Sequence, residues 1–256
     1  LGLLAGSTCV LPPGDPSRVA AIRPRDVVDA IDRFGVSTMF ASPALLDRLG
    51  AHAARTGRTL EGLRRVSVGG APVREDIAAA MCAALGPRGE HRLTVVYGAT
   101  EALPISTIDA AQARATAAAT RGGAGVCVGP PAPGVRARVV ELTDDPVPRW
   151  SADLEAPPHE VGEIAVTGPT VSVRYHADPE ADRRTKITDG PRVWHRTGDL
   201  GRIDPQGRIW FYGRKSQRVR TAETTLYTVQ CESGRNAHPD VRRTAPVGVG
   251  EPGAAR

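Results

Sequence analysis

The chain has 256 residues, of which 41% are hydrophobic and 24% charged, a balance typical of a soluble globular protein. The formal net charge is +5, but arginines and carboxylates are intermixed along the chain. This mixing argues against nucleic-acid binding and is compatible with a small anionic ligand. The cysteines at 9, 82, 127 and 231 are too far apart for a metal knuckle or a redox pair, so free thiols in a reducing cytoplasm are expected.

The first part of the chain predicts alternating strands and helices. The apolar segment Leu1–Leu11 is interpreted as a buried strand, and residues 25–34 have helical spacing that ends at Gly35. The elements predicted after it are a strand at 36–41, a helix at 43–55, a strand at 66–68, a helix at 74–85 and a strand at 94–97. This alternation indicates a parallel sheet covered by helices, with ligands at the carboxyl ends of the strands.

Beyond residue 121 the pattern changes to strands separated by Gly- and Pro-rich segments. Strands are predicted at 135–142 and 163–167, with an exposed loop at 143–160 between them. Residues 200–212 predict a hairpin that turns at Asp204–Gly207. The fold class is therefore predicted as α/β, with an α/β part at 1–124 and an antiparallel β subdomain at 125–213.

Two short motifs directly follow predicted strands. In Tyr97–Glu101 (YGATE) the ring can stack on a base, and the glycine lets a ligand approach the backbone. Thr100 can donate to a phosphate, and Glu101 can hold Mg²⁺ through a hard oxygen. An ordinary capped turn is the alternative. Gly69–Pro72 (GGAP) equally fits a tight turn before a helix.

Two later motifs carry charged side chains. Asp199 in RTGDLG is predicted on a turn, where it could accept two ribose hydroxyls or its own backbone N–H groups. Arg214 in YGRK could contact ribose or phosphate, or be an ordinary exposed arginine. The neighbouring His195 is interpreted as a packing or hydrogen-bonding residue, and Cys127 as a buried strand residue.

In their order, GGAP, YGATE, GEIAVTGP, RTGDLG and YGRK resemble the adenylate-forming superfamily of acyl-CoA synthetases, luciferases and adenylation domains, over nearly the whole chain. The resemblance implies ATP/AMP and Mg²⁺ as ligands, with Thr100 and Glu101 catalytic and Glu101 on the metal. It also implies a hinge at 214–218 and the incomplete start of a C-terminal domain, including a strand-like Ala245–Gly250, at 219–256. The implied nucleotide-binding residues are Gly69, Gly70, Ala71, Pro72, Tyr97, Gly98, Ala99, Thr100, Asp199 and Arg214.

Several longer stretches are similar to one branch, the β-lactone synthetases of bacterial olefin and β-lactone biosynthesis. This branch implies that ATP activates a long-chain β-hydroxy acid as an acyl-adenylate, whose own hydroxyl then closes the ring and releases AMP. Other enzymes of the same pathway are implied partners, whereas nucleic acid and a transmembrane segment are not expected. The stretches are Phe40–Gly50, Tyr97–Ser106, Gly123–Gly129, Trp194–Gly201 and Gly213–Glu232.

Two parts of the superfamily pattern have no counterpart in the sequence. No phosphate loop with its lysine precedes Gly69, and no lysine follows Lys215. We therefore expect a chain truncated at both ends that is inactive by itself. A fatty-acyl-CoA or acyl-AMP ligase and an inactive nucleotide-binding fragment remain open as alternative functions.

Overall fold

The computed structural model describes residues 6–236, 238, 240–241, 243–250 and 253. They group into two compact units, the first made by residues 1–96 and 109–114 and the second by residues 97–108 and 115–256. No helix within the described residues is both long and apolar enough to span a bilayer.

The first unit contains parallel strands with helices between them. Strands β1, β2 and β3 run side by side, with Met39 opposite Val66 and Val68 opposite Val95. The structure confirms the predicted helices and strands of residues 25–97 to within two residues at each end. The elements are a 3₁₀ helix (Pro16–Ala21), α1 (Pro24–Phe34), β1 (Thr38–Ala41), α2 (Pro43–Thr56), β2 (Arg65–Gly69), α3 (Glu75–Ala84), α4 (Gly89–Arg92) and β3 (Leu93–Ala99), whose last three residues, from Tyr97 on, belong to the second unit.

Local sequence signals and burial together explain these elements. Proline occupies the first position of α1 and of α2, where its fixed φ suits a helix start. Ser42 caps α2, because its hydroxyl accepts a hydrogen bond from the backbone N–H of Leu45 at 3.4 Å. The apolar faces then meet in one core, whose fully buried side chains include Leu46, Leu49, Leu63, Val66, Val68, Met81, Leu85 and Leu93.

The second unit is built on a six-stranded antiparallel sheet in the order β5-β10-β9-β7-β6, with β8 paired to β9. This confirms the predicted antiparallel β region and its hairpin. Every residue of β7, an inner strand between β9 and β6, is buried. The elements from β4 onward are β4 (Ala102–Asp109), α5 (Ala110–Arg121), β5 (Val126–Gly129), β6 (Arg136–Val140), a 3₁₀ helix (Ala152–Leu154), β7 (Gly162–Thr167), α6 (Pro179–Thr185), β8 (Lys186–Asp189), β9 (Arg192–Ile203), β10 (Ile209–Arg214), a 3₁₀ helix (Lys215–Gln217), β11 (Val219–Arg220), β12 (Thr225–Leu226) and α7 (Thr228–Arg235). Residues 109–114, at the end of β4 and the start of α5, belong to the first unit.

Two predicted strands at the ends of the chain are wrong where the structure describes them. Residues 6–11 form no strand, and Leu11 is 90% exposed; Pro12 and Pro13, which follow, have no backbone N–H to donate to a neighbouring strand. Residues 1–5 lie outside the described residues. Ala245–Gly250 also forms no strand, because Val247 and Val249 are exposed and pack into no core.

The predicted turn at Asp199 is also wrong, because Asp199 lies inside β9. Gly198 has φ of 70°, a value that glycine adopts without strain. The register between β7 and β9 shifts between Glu163 and Ala165, so the strand absorbs this glycine in a bulge-like irregularity and continues. The domain limits 1–124, 125–213, 214–218 and 219–256 stay predictions.

Candidate functional site

Asp199 is the centre of a contact group within the second unit. The Tyr97 hydroxyl donates a hydrogen bond to Asp199 Oδ2 at 2.8 Å. Arg214 lies on the neighbouring strand, opposite Asp199 in the ladder, and its NH1 is 3.0 Å from Oδ1. The antiparallel pairing of β9 with β10 therefore brings the guanidinium to the carboxylate, while the end of β3 supplies the phenol.

The Asp199 carboxylate is buried, with only 6% of its side chain exposed. Burial raises the pKa of Asp199, although the hydrogen bond from Tyr97 and the charge of Arg214 oppose that rise. Burial and the nearby Asp199 raise the pKa of Tyr97 well above its usual value, so the phenol stays a donor. Oδ1 faces Arg214 NH1 at 3.0 Å and Oδ2 accepts from Tyr97, and each carboxylate oxygen has lone-pair capacity for one further hydrogen bond.

Glu163 and Arg196 form a buried ion pair beside this group. Arg196 NH2 lies 2.7 Å from Glu163 Oε2, and each side chain is at most 3% exposed. Lys215 Nζ joins at 3.0 Å, and Oε1 accepts a hydrogen bond from the Gly198 backbone at 3.2 Å. Glu163 therefore holds the backbone next to Asp199, and two cations balance its buried charge.

Glu101 lies in the turn between β3 and β4, where its carboxylate meets Tyr175. The Tyr175 hydroxyl donates to Glu101 Oε1 at 2.8 Å. Burial acts to raise the pKa of Glu101, but this hydrogen bond and the Lys186 charge outweigh it, and the pKa is lowered. Burial and Glu101 raise the pKa of Tyr175 to about 12. Glu101 is therefore an anion and Tyr175 a neutral donor at physiological pH.

Both side chains line an open cleft of about 450 Å³ within the second unit. Its wall carries acids from three segments of the chain, and bases from α6, β9, β10 and the 3₁₀ helix Lys215–Gln217. The remaining lining residues are Ala99, Asp144, Glu163, Arg184, Thr185, His195, Arg196, Thr197, Gly198, Arg214 and Lys215. A cleft with both signs of charge suits a ligand with phosphate and a bound cation.

The family profile described as AMP-binding enzyme matches residues 1–176, which is well over half of the chain. The chain belongs to the AMP-binding enzyme family. The match covers the GGAP, YGATE and GEIAVTGP motifs, whereas RTGDLG and YGRK lie beyond it.

Individual members of the AMP-binding family extend the match over nearly the whole chain. Olefin beta-lactone synthetases of Xanthomonas campestris pv. campestris and Stenotrophomonas maltophilia are 44% and 43% identical over 97% of the chain, which covers 44% and 45% of their lengths. A feruloyl-CoA synthase of an Amycolatopsis species is 29% identical over 98% of the chain, which covers 44% of that protein. The chain thus spans less than half the length of these relatives.

A solved structure of the family agrees with the fold. The amide bond synthetase McbA from Marinactinospora thermotolerans superposes with a TM-score of 0.72 at 29% identity, over 91% of this chain and 42% of that one. Its similarity confirms an α/β adenylate-forming fold for the chain.

The predicted site residues of this member of the AMP-binding enzyme family lie in different environments. Tyr97, Asp199 and Arg214 are in contact, and Ala99 and Glu101 line the cleft. Gly98, in β3, would place a Cβ 2.7 Å from the Ala102 carbonyl oxygen, so only glycine fits there. Thr100 is exposed in the turn and is not among the residues that line the cleft.

Gly69, Gly70, Ala71 and Pro72 follow β2 in the first unit. A Cβ on Gly69 would lie 2.8 Å from the Val96 carbonyl oxygen, and Gly70 has φ of 90°. Both glycines are therefore required by the backbone. The roles of all these residues toward a nucleotide stay predictions.

The structure also identifies site residues that the sequence patterns did not. Glu163 and Tyr175 are the main ones, and both lie in or just after the GEIAVTGP stretch. A charged residue beside the apolar run Ile164–Val166 is the signal in the sequence for Glu163. The interpretation of His195 as a packing residue agrees with its burial, since it is only 2% exposed, and burial with the Lys186 charge lowers its pKa to about 4.

Mg²⁺ fits Glu101 by the chemistry of its donors. Mg²⁺ in nucleotide sites is held by one or two carboxylates, with phosphates and water completing its shell. A carboxylate has about four lone-pair sites, and Tyr175 takes one of them at Glu101. Asp144 and Glu163 also line the cleft, but Arg218 and Arg196 already bind them. Glu101 is therefore the residue that would hold the cation.

Proposed function

We propose that the protein carrying this chain activates a long-chain β-hydroxy acid with ATP and closes it to a β-lactone. The observation that carries the nucleotide part is the Tyr97–Asp199–Arg214 contact group, which brings three residues of separate motifs together around one buried carboxylate. The lactone part is supported by the 44% identity to an olefin beta-lactone synthetase over 97% of the chain.

In the first half-reaction a carboxylate oxygen of the acid attacks the α-phosphorus of ATP, and pyrophosphate leaves. Asp199 would accept the ribose hydroxyls, and Arg214, half-exposed beside it, would donate to ribose or phosphate. Thr100 would donate to the α-phosphate. Mg²⁺ held by Glu101 would supply positive charge against the charge that builds on the phosphoryl oxygens. The cleft thereby lowers the repulsion between two anions that must meet.

In the second half-reaction the β-hydroxyl oxygen attacks the acyl carbon of the adenylate. A new C–O bond closes a four-membered ring, the bond to AMP breaks, and the hydroxyl proton is released. Because the nucleophile is tethered to the carbonyl, no second substrate has to be bound. The protein would act in the cytoplasm, where ATP is available, and would hand the lactone to another enzyme of the same pathway.

A fatty-acyl-CoA or acyl-AMP ligase is the alternative, and the 29% identity to a feruloyl-CoA synthase favours it. The two functions share the first half-reaction and differ only in the second nucleophile. An inactive nucleotide-binding chain is the remaining alternative, and it predicts no adenylate from any acid.

The test is a product assay on the full-length protein with a synthetic β-hydroxy acid, ATP and Mg²⁺, with and without CoA, followed by mass spectrometry. We expect AMP and β-lactone in both mixtures. A product that appears only with CoA, as the thioester, would replace the lactone function by the ligase function. Glu101→Ala should lower the rate of adenylate formation by about 10²–10³. The exposed glutamate variant Glu141→Ala is the matched control and should keep the wild-type rate.

A further inference from the structure

The segment Ser172–Tyr175 contacts Glu101 at two points. The backbone N–H of Ser172 donates to the Glu101 carbonyl oxygen at 2.7 Å. Three residues later, the Tyr175 hydroxyl donates to the carboxylate oxygen Oε1 at 2.8 Å. One short segment therefore fixes both the backbone and the side chain of Glu101, across 74 residues of sequence.

The segment is itself held by α6 and β8. Lys186, the first residue of β8, donates to the Ser172 carbonyl oxygen at 2.7 Å and to its hydroxyl at 3.0 Å. The same ammonium group lies 5.2 Å from the centre of the Tyr175 ring, within the range of a cation–π contact. The Tyr175 backbone N–H donates to Asp182 of α6 at 2.8 Å. The backbone and the ring of Tyr175 are therefore both held in place by contacts other than the hydrogen bond from its hydroxyl to Glu101.

Such an arrangement removes rotational freedom from a carboxylate that must bind a cation. A glutamate in an open cleft can rotate its carboxylate among several orientations, and ordering it on binding costs free energy. A donor fixed on one oxygen selects one orientation in advance, as outer-shell partners of metal ligands commonly do. Tyrosine suits this task because a neutral phenol donates without adding a charge that would repel the cation.

We propose that Tyr175 is a positioning residue that orients the Glu101 carboxylate for the divalent cation of the bound nucleotide, and that Lys186 holds Tyr175 in place. The proposal rests on the proposed function, since it takes Glu101 as the ligand of the cation. It assigns no contact between Tyr175 and the nucleotide itself.

The test measures how strongly a divalent cation promotes nucleotide binding to the full-length protein. The affinity for α,β-methylene-ATP, which cannot transfer its adenylyl group, is measured by calorimetry with saturating Mn²⁺ and again with EDTA. The ratio of the two affinities reports the coupling between cation and nucleotide. We expect Tyr175→Phe to lower this ratio by about tenfold and to leave the affinity in EDTA unchanged.

Tyr212→Phe is the matched control, because its hydroxyl accepts a hydrogen bond from Arg202 on β9 and does not contact Glu101. It should keep the wild-type ratio. Lys186→Met retains much of the aliphatic stem and removes the ammonium group, and we expect about a threefold lower ratio. This second variant keeps the proposal testable if Tyr175→Phe does not fold.

A double-mutant cycle with Glu101→Ala separates the two proposals. If Tyr175 acts through Glu101, then Tyr175→Phe has no further effect on the ratio once Glu101 is removed. An equal loss in both backgrounds would overturn the positioning role, as would an unchanged ratio in Tyr175→Phe while Glu101→Ala lowers it. An unchanged ratio in Glu101→Ala would instead overturn the assignment of Glu101 to the cation.

Discussion

The hydrogen bonding and the pKa of the Asp199 carboxylate depend on residues that are distant in sequence. Tyr97 lies 102 residues away and binds one carboxylate oxygen, whereas Arg214 reaches the other across the strand pair. Burial alone would favour the protonated acid, and these two partners act against it. Because Tyr97 and Arg214 oppose the effect of burial, the Asp199 carboxylate can act as a hydrogen-bond acceptor at a position that excludes most water. A hydrogen bond from a ribose hydroxyl would contribute most at such a position.

From the low pKa of the buried His195, we predict that the protein loses stability on mild acidification. Its pKa in the folded protein is about 4 because of burial and the Lys186 charge, whereas an unfolded histidine titrates near about 6.5. As the pH falls below about 6.5, the unfolded state gains a proton that the folded state does not bind, so the free energy of unfolding decreases. On going from about pH 7.5 to about pH 5.5, protonation of His195 in the unfolded state should lower the free energy of unfolding by about 1 kcal/mol.

The measurement is urea unfolding of the full-length protein at the two pH values. His195→Gln should lose less stability on acidification than the wild type, by about 1 kcal/mol. His176→Gln removes an exposed histidine and should keep the wild-type difference. An identical pH dependence of His195→Gln and the wild type would show that His195 is protonated in the folded state.

The site residues that sequence could predict are those that belong to short, ordered motifs. Tyr97, Asp199 and Arg214 are examples, although the Tyr97 hydroxyl contact with Asp199 was not predicted. Glu163 and Tyr175 act through partners that are 33 and 74 residues away in sequence. No local pattern contains such a pairing, because it arises from the register of β7 and β9 and from the path of the chain after β7.

At the scale of elements, the β9–β10 hairpin shows how one turn residue organises two strands. Asp204 Oδ1 accepts hydrogen bonds from the backbone N–H groups of Gln206 and Arg208 at 3.0 and 2.9 Å. Its Oδ2 accepts from Arg208 Nε at 2.7 Å and from Trp210 Nε1 at 2.8 Å. The carboxylate therefore closes the turn and joins it to the buried indole, which supports the pairing of residues 209–211 with residues 201–203; a register shift between Phe211 and Gly213 then sets Arg214 opposite Asp199.

Asp204→Asn should lower the free energy of unfolding by about 2 kcal/mol, because the amide loses charge-assisted hydrogen bonds and can leave the indole N–H unpaired. Urea unfolding at neutral pH measures this change. Asp153→Asn, at an exposed position in the 3₁₀ helix before β7, is the control and should fall within about 0.5 kcal/mol of the wild type. A similar loss in both variants would mean that the turn contacts contribute little.

Elements could be predicted where the spacing of apolar residues agreed with the prolines and glycines that mark helix ends. Helices α1 and α2 begin at prolines and end before glycines in the left-handed region, and their apolar spacing matches the core. Glycine as a signal for a turn was misleading at Gly198, because a glycine with positive φ occurs in irregular positions within a strand as well as in turns. The strand at Leu1–Leu11 was predicted from hydrophobicity alone, yet Leu11 is 90% exposed.

At the scale of the whole molecule, the proposed nucleotide site links ligand binding to stability. A ligand that binds only the folded state stabilises it, by about 2.7 kcal/mol at a concentration of about 100 times its dissociation constant. AMP should therefore raise the melting temperature of the full-length protein by several degrees. The size of this shift measures the site without any catalytic step, so it is independent of which acid is the substrate.

Arg214 and Arg138 offer a matched pair for this measurement. Both side chains are about half exposed, and each pairs with a carboxylate, Asp199 and Glu155 respectively. Arg214→Met should reduce the AMP-induced shift at a fixed AMP concentration, because the site loses a donor to ribose or phosphate and leaves Asp199 buried with one partner fewer. Arg138→Met should retain the full shift, because an exposed ion pair contributes little. Equal shifts in the two variants would place the nucleotide away from Arg214, and the contact group around Asp199 would then serve the fold alone.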